Sequence, residues 1–378
     1  MAADSGRSAR LAAKPNGISA NTGILKDMPM KAAFLTSPTT LELRDLPDPD
    51  VPDDGLVIEV RACGICGSDL RRWKEGPPPG SEGVVPGHEA AGVVIKVGPN
   101  CRHFAVADRI AIAPDIRCGR CYYCRRGMYN LCDHLKFIGI TPGYPGGFAE
   151  QMTLTAEILK NGIVNTMPEG LSFEHAAVSE LCNSVLATHE KAGAKASDTV
   201  VVIGAGPAGC LHVSVAKMKG ARAVVLEVAE ARRRMAMMFS PDVVMDASSP
   251  DAAAKVRELA GGVGADIVVC ANPVAQTQAL GVEIVRKGGK VILFGGLPKA
   301  NPMTTLDGNL IHYGEIQVIG AFSYHPRFHK LALALLAGRR LPAASLITHT
   351  FELDKINQAY QTAASGEALK VVIEIGRQ

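Results

Sequence analysis

The sequence predicts an α/β protein in two parts: a mostly antiparallel, barrel-like half, then a doubly wound parallel sheet. Two changes of grammar along the 378 residues carry this reading. From Lys31 to about Leu181, short apolar runs are broken by Gly and Pro. After about Asn183, Val/Ile-rich runs alternate with helical patterns. The length itself exceeds the ~150 residues of one domain. Residues 30–182 and 323–378 are therefore assigned to one domain and 183–322 to the other.

In the first half the strands are read at Leu56–Val60, Ala91–Ile95 and Arg109–Ile112, separated by turn clusters such as Pro77-Pro78-Pro79-Gly80. In the second half the strands are read at Thr199–Ile203, Ala223–Glu227, Asp242–Met245, Asp266–Cys270, Lys290–Phe294 and Gln317–Ile319. Helical patterns at Gly209–Lys219 and Ala229–Phe239 fill two of the gaps. A continuous Val/Ile strand must be buried on both faces, so helices must cover the sheet on both sides. The tail from about Ser323 returns to mixed character and rejoins the first half.

Composition narrows the function. Hydrophobic residues make up 47% and charged residues 20%, which excludes disorder and supports a full core. Forty basic against 37 acidic side chains leave +3, too balanced for a dedicated nucleic-acid binder. No apolar run approaches the ~20 residues of a membrane span. Residues 1–29 read as a disordered extension; an organellar transit peptide is the alternative, weakened by Asp4 and Asp27. Without a signal peptide the expected location is cytoplasmic, so the ten cysteines are read first as metal ligands.

The first strand of the second half runs into Gly204-Ala205-Gly206-Pro207-Ala208-Gly209, a G-x-G-x-x-G turn opening a helix. Glycines there permit a tight turn and close approach of the backbone to a pyrophosphate at the helix N-terminus. The next strand ends at Glu227, where a carboxylate would accept hydrogen bonds from an adenosine ribose and repel a 2′-phosphate. NAD is expected over NADP. Arg232, Arg233 and Arg234 follow; one of them, Arg232, is taken as a cofactor contact and the others as a solvated helix face.

Cys118, Cys121, Cys124 and Cys132 form C-x2-C-x2-C-x7-C. Four thiolates close a tetrahedron around Zn²⁺ with no open position, which makes a structural site. Nearby Arg117, Arg120, Arg125 and Arg126 are read as offsetting thiolate charge rather than contacting nucleic acid. A second site is assembled from distant pieces: Cys66 in Gly64-Ile65-Cys66-Gly67-Ser68-Asp69, His88 in Gly87-His88-Glu89, and Glu180 in Val178-Ser179-Glu180-Leu181. One Cys, one His and one carboxylate would hold zinc with a fourth position open to water or substrate.

On these residues the chain resembles a zinc-dependent medium-chain dehydrogenase/reductase of the alcohol dehydrogenase superfamily. The segment Gly87–Cys101 reads G-H-E-x2-G-x5-G-x2-C, the family's zinc signature. Within the family it is most similar to bacterial sorbitol, L-iditol and related polyol dehydrogenases, as are the Leu346–Phe351 and Ser365–Val371 segments. The resemblance implies a GroES-like catalytic barrel with a Rossmann coenzyme domain. It implies NAD and two zincs per chain, a polyol or cyclitol substrate, and a homotetramer or homodimer, with Gln317–Ile319 as a pairing edge. Cys66, His88 and Glu180 are implied as zinc ligands, with Cys182 as the competitor for the third place. Glu89 is implied beside the metal, Asp69 as the group orienting His88, and Ser68 as the acceptor of the alcohol proton.

Three departures bear on proton transfer and substrate. Arg71 stands where much of the family carries a proton-relaying His, and an Arg cannot act as a base near neutral pH. Ser323, before Tyr324, replaces an Arg that animal sorbitol dehydrogenases carry, and Arg72 replaces an aromatic. Sorbitol itself is therefore doubtful as the substrate. The same chemistry on an amino alcohol, such as L-threonine or an aminocyclitol, is the alternative, and a non-enzymatic zinc or nucleotide-binding protein a remote one.

Overall fold

The computed structural model describes residues 29–376. The extension read over residues 1–29 lies outside them except for Pro29. Six parallel strands form one sheet in the order Val243–Asp246, Arg222–Glu227, Thr199–Ile203, Ala265–Cys270, Val285–Leu293, Gln317–Gly320. Numbered along the chain this is 3-2-1-4-5-6, the doubly wound order whose crevice lies at the strands' C-terminal ends. The continuous apolar runs serve both faces: Val200 and Val202 pack on one side, Val201 and Ile203 on the other. Each fully buried Val or Ile contributes about 1.5–3 kcal/mol.

The fifth strand begins at Val285, earlier than the Lys290 that hydropathy suggested. Arg286-Lys287-Gly288-Gly289 is polar, and a register shift opposite Ala265 and Ile267 absorbs it, with Gly288 at φ +67°. The last strand, Gln317–Gly320, pairs on one side only and is half exposed.

The second sheet centres on Leu56–Gly64, which pairs antiparallel with Glu89–Val97, Gln151–Leu154 and Lys370–Glu374. Arg109–Ala113 and Ile163–Thr166 extend it antiparallel, whereas Ile347–Glu352 adds to Lys370–Glu374 in parallel. The C-terminal strands thus join the sheet of the first half. Between the sheets runs the helix Ser179–Ala192, ended by Gly193 in the left-handed region at φ +67°, whose N–H reaches the His189 and Glu190 carbonyls. Cys182, Val185 and Leu186 of this helix and Phe328 and Leu333 of the helix Arg327–Ala337 belong to one core with Val200 and Val202. No described helix is long and apolar enough to cross a membrane.

Candidate active site

Three strand ends meet at Gly64. In register, Gly64 faces Glu89 on one side and Val372 on the other. A Cβ on Gly64 would lie 2.1 Å from Glu89 Oε2, so only glycine leaves space for that carboxylate. Glu89 is fully buried and forms an ion pair with Lys370, itself 2% exposed. The Lys370 ammonium donates to Glu89 Oε1 at 2.6 Å and to the Ile65 carbonyl at 3.0 Å. Lys370 is a site residue that the sequence reading did not single out.

Cys66 caps the helix Gly67–Glu75, and its N–H donates to Asp69 Oδ2 at 2.9 Å. The other Asp69 oxygen stands 3.3 Å from His88 Nδ1, while His88 Nε2 lies 3.3 Å from Ser68 Oγ. With Nδ1 turned to a carboxylate, the lone pair belongs on Nε2, the arrangement a metal-binding imidazole needs. Donor atoms of Cys66, His88 and Glu89 lie within 4.8 Å of one another. A thiolate, an imidazole and a carboxylate gathered so closely in a buried site fit Zn²⁺ with a position to spare.

Glu180 stands outside that trio, at the start of the helix Ser179–Ala192. Its Oε1 accepts the Tyr324 hydroxyl at 2.8 Å. Burial, with the Glu89 charge second, pushes its carboxyl up to about 7. Cys182 is buried, its thiol pushed far up by burial, and it is not among the clustered donors. Ser323, held at φ +50°, donates its hydroxyl to the buried Asp115. Burial raises Asp115 to about 6 against the Ser323 hydroxyl and the His88 charge. Asp115 too escaped the sequence reading; its one signal was a lone acid inside the apolar run from Ile110 to Ile116. A cleft of about 370 Å³ opens beside Ser323 and Tyr324, lined also by Asn130, Leu131, Thr188 and Phe322. Arg71 is exposed and Arg72 half exposed on the helix Gly67–Glu75.

The four-cysteine lobe gathers Cys118, Cys121, Cys124 and Cys132 with their sulfurs within 4.8 Å of one another. Backbone N–H groups point at the sulfurs: Cys118 and His134 donate to Cys132, and Cys124 donates to Cys121. The Cys124 N–H bond holds the Cys121 thiol down at about 6, which favours thiolate, while burial pushes Cys124 up to about 12. Four thiols alone cannot all ionise at this distance, and a divalent cation resolves that conflict. Two of the neighbouring arginines have partners of their own. Arg117 lies over Tyr129 and donates to the Asn161 and Gly162 carbonyls, and Arg126 lies over Tyr122.

At the sheet crevice, Gly204 has φ +104°, and a Cβ on Gly209 would lie 1.9 Å from the Gly204 carbonyl oxygen. Gly206 faces open space and caps the helix Pro207–Met218, whose first turn holds Pro207 and Ala208. The loop is therefore bare backbone at a helix N-terminus, a cradle suited to a pyrophosphate. Glu227 ends its strand with Oε2 accepting the Ala205 N–H at 2.7 Å and Oε1 the Ala229 N–H at 2.9 Å. Arg233 pairs with Asp246 and Arg234 with Glu230, which leaves Arg232, whose buried Nη1 has no hydrogen-bond partner.

Fold and site together define a zinc-type alcohol dehydrogenase, an oxidoreductase with a GroES-like domain beside a dinucleotide-binding sheet. Residues 52–163 match the alcohol dehydrogenase GroES-like domain and residues 207–338 the zinc-binding dehydrogenase family. The chain is 33% identical to D-arabitol-phosphate dehydrogenase of Enterococcus avium over 334 residues, covering 87% of this chain and 92% of that one. It is 30% identical to sorbitol dehydrogenase of Bacillus subtilis over 352 residues, covering 91% and 97%. A Sinorhizobium meliloti structure described as a zinc-binding dehydrogenase bound to NADP superposes with a TM-score of 0.82 at 30% identity, covering 92% and 99%. The chain belongs to the zinc-binding alcohol dehydrogenase family, among relatives that include polyol dehydrogenases.

Proposed function

We propose that the protein oxidises a secondary alcohol of a polyol or cyclitol to the ketone, reversibly, with NAD as hydride acceptor. The observation that carries this reading is the trio of half-buried Cys66 with buried His88 and Glu89, donor atoms within 4.8 Å, an incomplete donor set that invites an ion and a substrate oxygen together. Cys66 and His88 would hold the catalytic zinc, with Glu89 and Glu180 as the carboxylates available to it. Cys118, Cys121, Cys124 and Cys132 would hold the structural one. Zinc at such a site supplies Lewis acidity that lowers the alcohol's pKa, and the nicotinamide supplies the hydride acceptor.

The chain's own residues account for the remainder. Asp69 fixes the His88 ring through Nδ1, and Lys370 neutralises Glu89 so that the buried charges do not accumulate. Ser68, 3.3 Å from His88 Nε2, would take the alcohol proton. An Arg at position 71 cannot accept that proton near neutral pH, so it would pass from Ser68 toward solvent without a side-chain base there. The loop Gly204–Gly209 would cradle the pyrophosphate, Glu227 the ribose, and Arg232 the adenosine side. Residues 30–182 and 323–378 would form the catalytic domain and 183–322 the coenzyme domain, with copies pairing along Gln317–Gly320.

Glu227 favours NAD because a carboxylate repels a 2′-phosphate, although the Sinorhizobium relative was captured with NADP. The test is NADH formation across polyols, cyclitols, phosphorylated sugar alcohols and amino alcohols, repeated after chelation, with bound zinc counted. Chelator-sensitive turnover of polyols at two zincs per chain is the expected result. Turnover that survives complete zinc removal would sink the reading.

A further inference from the structure

The first turn of the helix Ser179–Ala192 is gripped by a buried histidine that takes no part in the metal cluster. His329, fully buried on the helix Arg327–Ala337, uses both ring nitrogens. The Asn165 amide donates to Nδ1 at 2.8 Å, so the proton of the neutral ring sits on Nε2 and is donated to Ser179 Oγ at 3.0 Å. We propose that His329 is a positioning residue for Glu180: by fixing Ser179 it sets where the neighbouring carboxylate stands beside the metal cluster. The inference rests on the zinc-dependent, alcohol-oxidising reading, in which Glu180 is a carboxylate available to the catalytic ion.

The local geometry supports it. Val178, which opens the helix, offers no side-chain cap, so the helix start is held from outside. In the amide orientation that satisfies its neighbours, buried Asn183 donates to the Ser179 carbonyl at 2.8 Å and to the Phe328 carbonyl at 3.3 Å. The residue before His329 therefore grips the same turn. Five residues before His329, buried Tyr324 donates its hydroxyl to Glu180 Oε1 at 2.8 Å. One short segment, Tyr324–His329, thus holds Glu180 at its carboxylate and at the backbone beside it. Val178 and Cys182, on either side of Glu180, belong to one core with Ala62, on the strand that leads to Cys66, and Ala91, on the strand that begins at Glu89. Burial holds the His329 imidazole down at about 3, so the ring stays neutral and keeps one donor and one acceptor. A one-residue slip of a helix moves a side chain by about 1.5 Å and 100°, whereas a working constellation must be held to about 0.5 Å.

A histidine that served the fold alone would act on the site equally with or without Glu180. The experiment is therefore a double-mutant cycle on the zinc-loaded protein. His329→Leu removes both bonds; Ser179→Ala removes only the bond to the helix and keeps the imidazole. Each is made alone and with Glu180→Ala. Zinc affinity at the catalytic site is read by competition with a chromophoric chelator, kcat and KM with NAD on xylitol, sorbitol and D-arabitol, and the fold by thermal midpoint. Zinc affinity keeps the cycle readable where turnover is lost.

His329→Leu and Ser179→Ala should each weaken catalytic zinc by about 3- to 30-fold and lower kcat/KM alongside it. In the Glu180→Ala background the same changes should add under about 2-fold. Losses of equal size in both backgrounds would assign His329 to the fold alone and overturn the inference. A folded Ser179→Ala variant with parental zinc affinity and turnover would overturn it too, and that variant decides the matter if His329→Leu does not fold. Glu180→Ala behaving as the parent in both readouts overturns the inference together with Glu180's place in the reading. A parent that oxidises none of the three polyols while its zinc affinity obeys the cycle supports the inference and overturns the polyol reading. No turnover and no cycle overturn both.

Discussion

Replacing Lys370 with Met is the sharpest perturbation of the buried site. The ammonium and the Glu89 carboxylate are 2% and 0% exposed at the side chain, so neither can fall back on water. Removing one member of such a pair leaves an uncompensated buried charge, at about 3–5 kcal/mol. The Ile65 carbonyl also loses its donor. Methionine keeps the length and most of the stem, so packing contributes little to the change. Urea unfolding of the chelated protein at pH 7 measures the loss, and competition with a chromophoric chelator measures zinc affinity. Glu89→Gln combined with Lys370→Met should recover most of the stability, because a neutral pair removes the stranded charge. A single-variant loss under about 1 kcal/mol, or a double variant no more stable than Lys370→Met, would refute the argument that Lys370 is there to neutralise Glu89.

Cys121→Ser should reduce zinc from two ions per chain to one and lower the thermal midpoint while Cys66→Ser abolishes activity with the fold retained; metal analysis beside a melting curve checks both. Glu227→Gln should raise the NADP-to-NAD ratio of kcat/KM by at least about tenfold, and an unchanged ratio removes the ribose assignment. His189 is held down at about 4 by burial and then by the Lys219 charge, against 6.5 for a free imidazole. The unfolded chain therefore binds the extra proton first, so this stability is full above about pH 6.5 and is lost as pH falls toward 4. His189→Leu should flatten the stability–pH curve over that window by about 3 kcal/mol; a curve parallel to the parent's contradicts the neutral buried imidazole.

What the sequence made legible was whatever is written locally. The parallel strands stood out because residues such as Val200 to Ile203 are apolar in succession, each serving one of two covered faces. The four-cysteine lobe stood out because its donors lie within one short segment. Cys66, His88 and Glu89 could be placed because glycines flank them in recognisable turns. The pairs that tune the site were not legible. Glu89 meets Lys370 across 281 positions, Ser323 meets Asp115 across 208, and Tyr324 meets Glu180 across 144. Such contacts are set by how sheets and helices close on one another, which no local period encodes. The ring partners of two arginines beside the cysteines were hidden for the same reason: Arg117 lies over Tyr129 and Arg126 over Tyr122.

The span between Glu89 and Lys370 has a consequence for the newborn chain. A ribosome adds 281 residues between them. At about 5–20 residues per second that interval lasts roughly 15 to 60 s. Throughout it Cys66, His88 and Glu89 exist without their cation, and the strand Leu56–Gly64 that leads into Cys66 lacks its neighbour Lys370–Glu374. A metal captured during synthesis therefore meets a more negative and more open cluster than the finished enzyme offers. Arrival of the Lys370–Glu374 strand both completes that pairing and supplies the cation, so neutralisation of Glu89 waits for the last residues of the chain.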